Sequence, residues 1–151
     1  MKYVPNPSYQ NNFDTKSSVS ALYTALTKQI PKWWTEDFTG YSDKLYDEFT
    51  VRFGTTFKTM KVIDLKPNER VIWACIDTLI DIPELQNKTE WKGTTIIWEF
   101  NKDAKETGIS ITHLGLTPKV ECYNICEKGW ESFLESLKSF LETGKGMPYT
   151  I

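Results

Sequence analysis

The one histidine of the chain, His113, falls where Ile109, Ile111 and His113 share one face of a strand. An imidazole there offers general acid/base chemistry or a ligand contact. The plainer alternative is a structural side chain, hydrogen-bonded within the sheet or near the strand end. A single histidine leaves a Ser-His-Asp arrangement without an identifiable partner and excludes a metal site built on two or three histidines of one chain. The three cysteines are Cys75, Cys122 and Cys126. The last two lie one helical turn apart, a spacing for a thiol pair facing a ligand or a soft metal. With no second pair, the simpler reading is two small buried hydrophobes, and Cys75 in an apolar strand reads the same way. No glycine-rich phosphate loop, nucleophile elbow or paired metal motif is present, so no cofactor, metal or catalytic residue is assigned.

Asp77, Glu48 and Glu99 fall in strands, where each faces water or an apolar interior that would raise its pKa and make it an acid or base. Asp47 shares the alternating face of Phe49 and Val51 near a strand's start. Arg52 is placed to pair with one of these carboxylates or with an anionic head group. The aromatic residues are the stronger ligand candidates. They make up 14% of the chain, with six Trp, which requires either a bulky core or an aromatic-lined cavity. Trp33, Trp34, Trp73, Trp98, Phe100, Trp130 and Phe133 come from every element that would surround such a cavity. The candidate ligand contacts are Trp34, Trp73, Trp98, Phe100, His113, Trp130, Phe133 and Leu137, with filling and lining both open for the rings.

The elements that must position these residues follow from periodicity. Thr15 is a candidate cap for a helix over Lys16 to Thr27, with Val19, Leu22, Tyr23 and Leu26 at helical spacing. Pro31 opens a short turn carrying Trp33 and Trp34, of which at least one should face the core and the other a groove or the surface. From Lys44 the period becomes two, with Leu45, Phe49, Val51 and Phe53 on one face. Gly54-Thr55 connects to a strand over Thr56 to Leu65, and Lys66 to Glu69 reads as a turn with Pro67 at its first corner. Arg70 to Leu79 is nearly continuous in apolar residues and is read as a central strand covered on both sides. Asp81 to Lys92 is a loop around Trp91. Strands over Thr94 to Phe100 and Thr107 to Leu116, joined by a polar turn, complete an antiparallel meander. The longest helix spans about Glu121 to Thr143, with a stripe of Cys122, Cys126, Trp130, Phe133, Leu134, Leu137 and Leu141 and a stop at Gly144. Gly129 inside it calls for a close approach or a cavity. The architecture expected is α+β: a curved antiparallel sheet of about six strands wrapped around the terminal helix, with two short helices after the first strand.

A chain of 151 residues with 40% hydrophobic and 25% charged residues fits one globular domain, residues 1–151, with about the first eight expected to fray. A formal charge of −2, with Lys and Arg interleaved among acids, argues against a nucleic-acid partner. No segment reads as a signal peptide or an apolar span, so no membrane insertion is expected and the cytoplasm is the economical location.

The order of elements resembles the helix-grip pattern of the START-like (SRPBCC) superfamily. Local segments agree: SSVSALYTALT and IPKWWT (17–35) resemble its opening helix and Trp-Trp turn, and VIDLKPNERVIWAC (62–75) its strand, proline-bearing turn and Trp-containing strand. GISITHLGL (108–116) resembles its last strand, and GWESFLESLKSFLETGKGMP (129–148) its terminal helix with a Gly-rich end. The similarity extends over residues 13–148. It is greatest to the bacterial single-domain relatives of the C-terminal domain of the heat-shock-protein ATPase activator. The resemblance implies a cavity between sheet and terminal helix, holding a small apolar molecule such as a lipid, polyketide or aromatic compound. It implies two alternatives as well: a protein-interaction module tied to chaperones and stress response, or a cyclase- or hydratase-type enzyme with an inward acid/base group. A monomer or weak homodimer is expected.

Overall fold

The computed structural model describes residues 7–102 and 105–151. Its strands are β1 (Tyr9–Thr15), β2 (Phe38–Gly40), β3 (Glu48–Phe53), β4 (Thr56–Lys66), β5 (Arg70–Leu79), β6 (Thr95–Lys102) and β7 (Thr107–Leu114). Its helices are α1 (Val19–Lys28), a 3₁₀ turn at Ile30–Lys32, and α2 (Tyr123–Thr143). The strands form one antiparallel sheet in the order β1-β7-β6-β5-β4-β3-β2. This is the α+β helix-grip fold, with a short edge strand, β2, that three residues of sequence do not announce. The expectation of a frayed start falls mostly on residues outside those described, as does part of the turn between β6 and β7.

Several local readings shift. Ser18, rather than Thr15, caps α1, accepting a hydrogen bond from the N–H of Ala21. Thr15 is already used: it pairs in β1 and its hydroxyl accepts the N–H of Ser17. The strand expected from Lys44 begins only at Glu48, because Tyr46 adopts φ 71° and Asp47 closes a turn onto the N–H of Lys44. Leu45 and Tyr46 are therefore exposed. β5 is the middle strand but is covered on one side only: Val71, Trp73 and Cys75 are buried, whereas Ile72, Ala74 and Ile76 on the other side are half-buried. Apolar residues on a half-covered face blur the period-two signal. Register shifts between β4 and β5 at Thr59/Met60 and Val62/Asp64 bend the sheet, and the second leaves Ile63 exposed.

The helix α2 buries Cys126, Trp130, Leu134, Ser136 and Leu137 against the sheet and ends at Gly144 with φ 80°. Cys122 is its N-cap residue and supplies no side-chain bond. The carboxylate of Glu90 instead accepts the N–H groups of Glu121 (3.1 Å) and Cys122 (3.3 Å). Glu121 in return accepts the N–H groups of Gln86 and Asn87. This reciprocal pair fastens the loop between β5 and β6 to the start of α2. At the far end, the buried Ser136 hydroxyl donates to the Trp33 carbonyl (2.7 Å) and accepts the N–H of Met147 (2.6 Å). Tyr149 donates its N–H to the Trp34 carbonyl. The Trp33-Trp34 turn is thus held from both sides by the C-terminal segment.

Candidate functional site

Trp33 and Trp34 are both buried, Trp33 in the core and Trp34 on the wall of a cavity, so the second ring takes the groove and not the surface. Their rings stack at 5.6 Å and 9°, so adjacent side chains on one turn share a direction after all. The indole of Trp33 donates to the Ala25 carbonyl of α1 (2.9 Å). Trp34 stacks on Trp73 (5.8 Å) and contacts Trp130 (5.3 Å). Trp73 and Trp98 meet edge-on, Trp98 meets Trp130, and Trp130 stacks on Trp91 at 6.0 Å and 12°. All six tryptophans are consequently joined in one array. The indole N–H groups of Trp34, Trp73 and Trp98 are buried without a hydrogen-bond partner among the described residues. Each such group costs about 1–3 kcal/mol, a cost that ring packing must offset.

At one end of the array lies a cavity of about 190 Å³. Trp34, Trp91, Trp130, Phe53 and Phe133 supply aromatic walls, and Ile80, Ile82 and Ile125 aliphatic ones. Thr56, Lys58, Cys126 and Gly129 complete the lining. A Cβ placed on Gly129 would meet nothing within 4 Å, so this glycine in mid-helix opens onto empty space instead of a strand.

A hydrogen-bond chain fixes the wall. The Trp130 indole can only donate, and it donates to Nδ1 of His113 (3.0 Å). The imidazole proton therefore sits on Nε2 and is given to Thr94 Oγ1 (2.9 Å), whose own hydrogen goes to the Trp91 carbonyl (2.6 Å). Burial, with a smaller contribution from the Lys58 ammonium, lowers the His113 pKa to about 3. Protonation would also set Nδ1–H against the indole N–H. His113 is thus a neutral strut between the two tryptophans that flank the cavity, its proton and its lone pair both committed.

The Trp91 indole donates to the Cys126 sulfur (3.2 Å), which lies 2.9 Å from that of Cys122. Hydrogen bonding from Cys122 first, and the Lys58 ammonium, hold the Cys126 thiol below its ordinary value while Cys122 is pushed up. Burial pushes Cys75 up to about 12. Lys58 reaches in from β4, its ammonium 4.1 Å from the centre of the Trp91 ring and 4.9 Å from that of Phe53. Burial draws its pKa down. The strand carboxylates Glu48, Asp77 and Glu99 are all exposed on the outer side, and Arg52 donates to the Thr39 hydroxyl instead of reaching the cavity. Among the described residues, no three His, Cys, Asp or Glu side chains converge as a metal site.

Of the candidate contacts named from sequence, Trp34, Trp130 and Phe133 lie on the cavity wall. Trp73, Trp98 and His113 brace that wall from behind through Trp34 and Trp130. Phe100 and Leu137 are buried in the core away from it. Sequence reasoning passed over Lys58, Trp91 and Phe53. Lys58 carried a signal, since it shares the inward parity of Met60 and Val62 in β4. Trp91 carried none beyond its type, because an irregular loop has no period.

The family described as "Activator of Hsp90 ATPase homolog 1-like protein" (AHSA1) matches residues 16–142. The chain belongs to this family. Among solved structures, the AHSA1 chain is similar to the Aha1 dimer from Colwellia psychrerythraea, at 30% identity and TM-score 0.76, covering 92% of this chain and 98% of that one. It shares its fold with DynU16, a putative protein in the dynemicin biosynthetic locus (17%, TM-score 0.66), covering 94% of this chain and 49% of that one. CalU16 from Micromonospora echinospora shares it too (14%, TM-score 0.64; 91% and 75% covered). No curated protein sequence matches. No helix among the described residues is long and apolar enough to cross a membrane.

Proposed function

We propose that the protein binds a compact apolar molecule in the cavity between sheet and α2, held among Trp34, Trp91 and Trp130. The observation that carries this reading is Gly129. A helix of 21 residues keeps at its cavity-facing position the residue that costs it about 1 kcal/mol relative to Ala, where a side chain would have room. The residue is half-buried in the wall of an apolar cavity, so the space beside it supports an opening through which an occupant is admitted. The lining is apolar except at Thr56, Lys58 and Cys126, which suits an apolar body with a single polar end.

The test is an amide NMR titration with small aromatic and aliphatic compounds, run on the wild type and on Gly129→Leu. Shifts are expected on α2 and around Trp34 and Trp91 in the wild type. In Gly129→Leu they should vanish while the unfolding midpoint is kept or raised, since Leu favours the helix and fills the space. No shifts in the wild type, or equal shifts in both proteins, would refute ligand binding here.

The family description supports a second reading, contact with an Hsp90-type chaperone through an outer surface. The same variant separates the two, because filling the cavity leaves an outer epitope intact. The enzyme alternative loses its histidine, both nitrogens of which are engaged, and has no inward carboxylate among Glu48, Asp77 and Glu99.

A further inference from the structure

Lys58 is the one charged side chain among the described residues that line the cavity. Among those residues its ammonium makes no hydrogen bond and no ion pair, and the ion pairs present, Lys66–Glu69 and Arg70–Asp64, lie elsewhere on the sheet. The faces of Trp91 and Phe53 attract the charge without accepting its protons. The side chain is half-buried, and an ammonium in the cavity wall without a protein acceptor is free to take one from an occupant. Of the other wall donors, Trp91 is spent on Cys126 and Trp130 on His113, whereas the Trp34 N–H has no partner among the described residues but is buried. The Thr56 hydroxyl accepts the N–H of Asp81 and so keeps its own hydrogen for a second acceptor atom.

We infer that the occupant is a compact monocarboxylate, its aryl or branched-alkyl body against Trp34, Trp91 and Trp130 and its carboxylate on Lys58 and Thr56; this rests on the cavity being a ligand site. One cation matches one negative charge, whereas a phosphate dianion calls for several charged donors. Size agrees. An apolar cavity of about 150 Å³ holds benzene, so about 190 Å³ accommodates one ring with a carboxylate or an equally short branched chain. The Cys126 thiol is the one neighbour that would compete for the ammonium by ionising. The hydrogen bonding that holds its thiol below the ordinary value favours that ionisation, so an incoming carboxylate has to displace it from the ammonium.

The experiment compares benzoate and phenylacetate with their neutral amides, benzamide and phenylacetamide, by calorimetry or NMR titration on the wild type and Lys58→Met. Met keeps the stem's length and apolar character, and amide binding to the variant reports that its cavity is intact. The acids are expected to bind the wild type more tightly than the amides. Lys58→Met should weaken the acids by about tenfold or more, the loss of one charge-assisted contact, with the amides unchanged. Weakening of acids and amides alike, or acid binding that ignores the substitution because Cys126 already holds the ammonium, would overturn the inference. Amides that bind wild type where acids do not would overturn it too, while leaving the cavity as a ligand site. Failure of all four compounds, together with the absence of shifts from the wider panel above, would remove the cavity reading and this inference with it.

Discussion

Lowering the pH from 6.5 to 3 is expected to remove on the order of 5 kcal/mol of folding stability through His113 alone. In the unfolded chain the imidazole takes a proton near its ordinary pKa of 6.5, and in the folded protein only near 3. Above 6.5 both states are neutral and the residue makes stability independent of pH. Between the two values the unfolded chain binds the extra proton, so stability falls as pH falls, at about 1.4 kcal/mol per pH unit. Below about 3 the effect levels off. A domain at the lower end of the usual range of about 5–15 kcal/mol would be near its unfolding midpoint by then, and one at the upper end would keep about 10 kcal/mol. Urea unfolding at a series of pH values measures this. His113→Gln retains an acceptor and a donor but cannot titrate, so its acid limb should be flatter by about that amount, from a lower starting stability at pH 7. Parallel limbs would mean that the imidazole charges without unfolding the protein.

Trp130→Ala is expected to cost at least 3–5 kcal/mol, the range for emptying a buried aromatic site. Here the ring is 2% exposed and touches Trp34, Trp91 and Trp98. Its removal also strands Nδ1 of His113. This substitution therefore cannot serve as a clean test of ligand contact, because a loss of binding would follow from loss of the wall. Trp130→Phe separates the contributions. It keeps an aromatic ring in the site but removes the N–H together with part of the indole, for an expected cost of about 1–3 kcal/mol with an upward move of the His113 pKa. Chemical denaturation and a histidine NMR titration read the two effects. A Phe variant as unstable as the Ala variant would assign the whole effect to the N–H and the part of the indole that Phe lacks.

The legible part of this molecule was whatever has a period. The bounds Arg70 to Leu79 and the end of α2 at Thr143 were read to the residue, and the turn at Pro67 sits where its chemistry placed it. What escaped was set by tertiary partners. Glu90 caps α2 from a loop more than thirty residues upstream. Trp34 turns inward because Tyr149 and Ser136 fasten the turn that carries it. The cavity itself was half visible. Trp34, Trp130 and Phe133 were on the candidate roll, but the polar group that gives the space its chemistry, Lys58, was hidden by the habit of reading lysines as solvated. Its parity with Met60 and Val62 was the available correction.

The joined array of six tryptophans also dictates how this protein handles light. Indoles 5–6 Å apart exchange excitation far faster than they emit, so a photon absorbed by any of them is released from whichever has the lowest excited state. Emission should be strongly depolarised in the native protein and regain its polarisation on unfolding, even in a rigid glass where tumbling is frozen. The coupled transitions will also add circular dichroism of their own in the region used to count helices. Replacing one indole would then retune the spectrum of the whole set instead of subtracting a sixth of it.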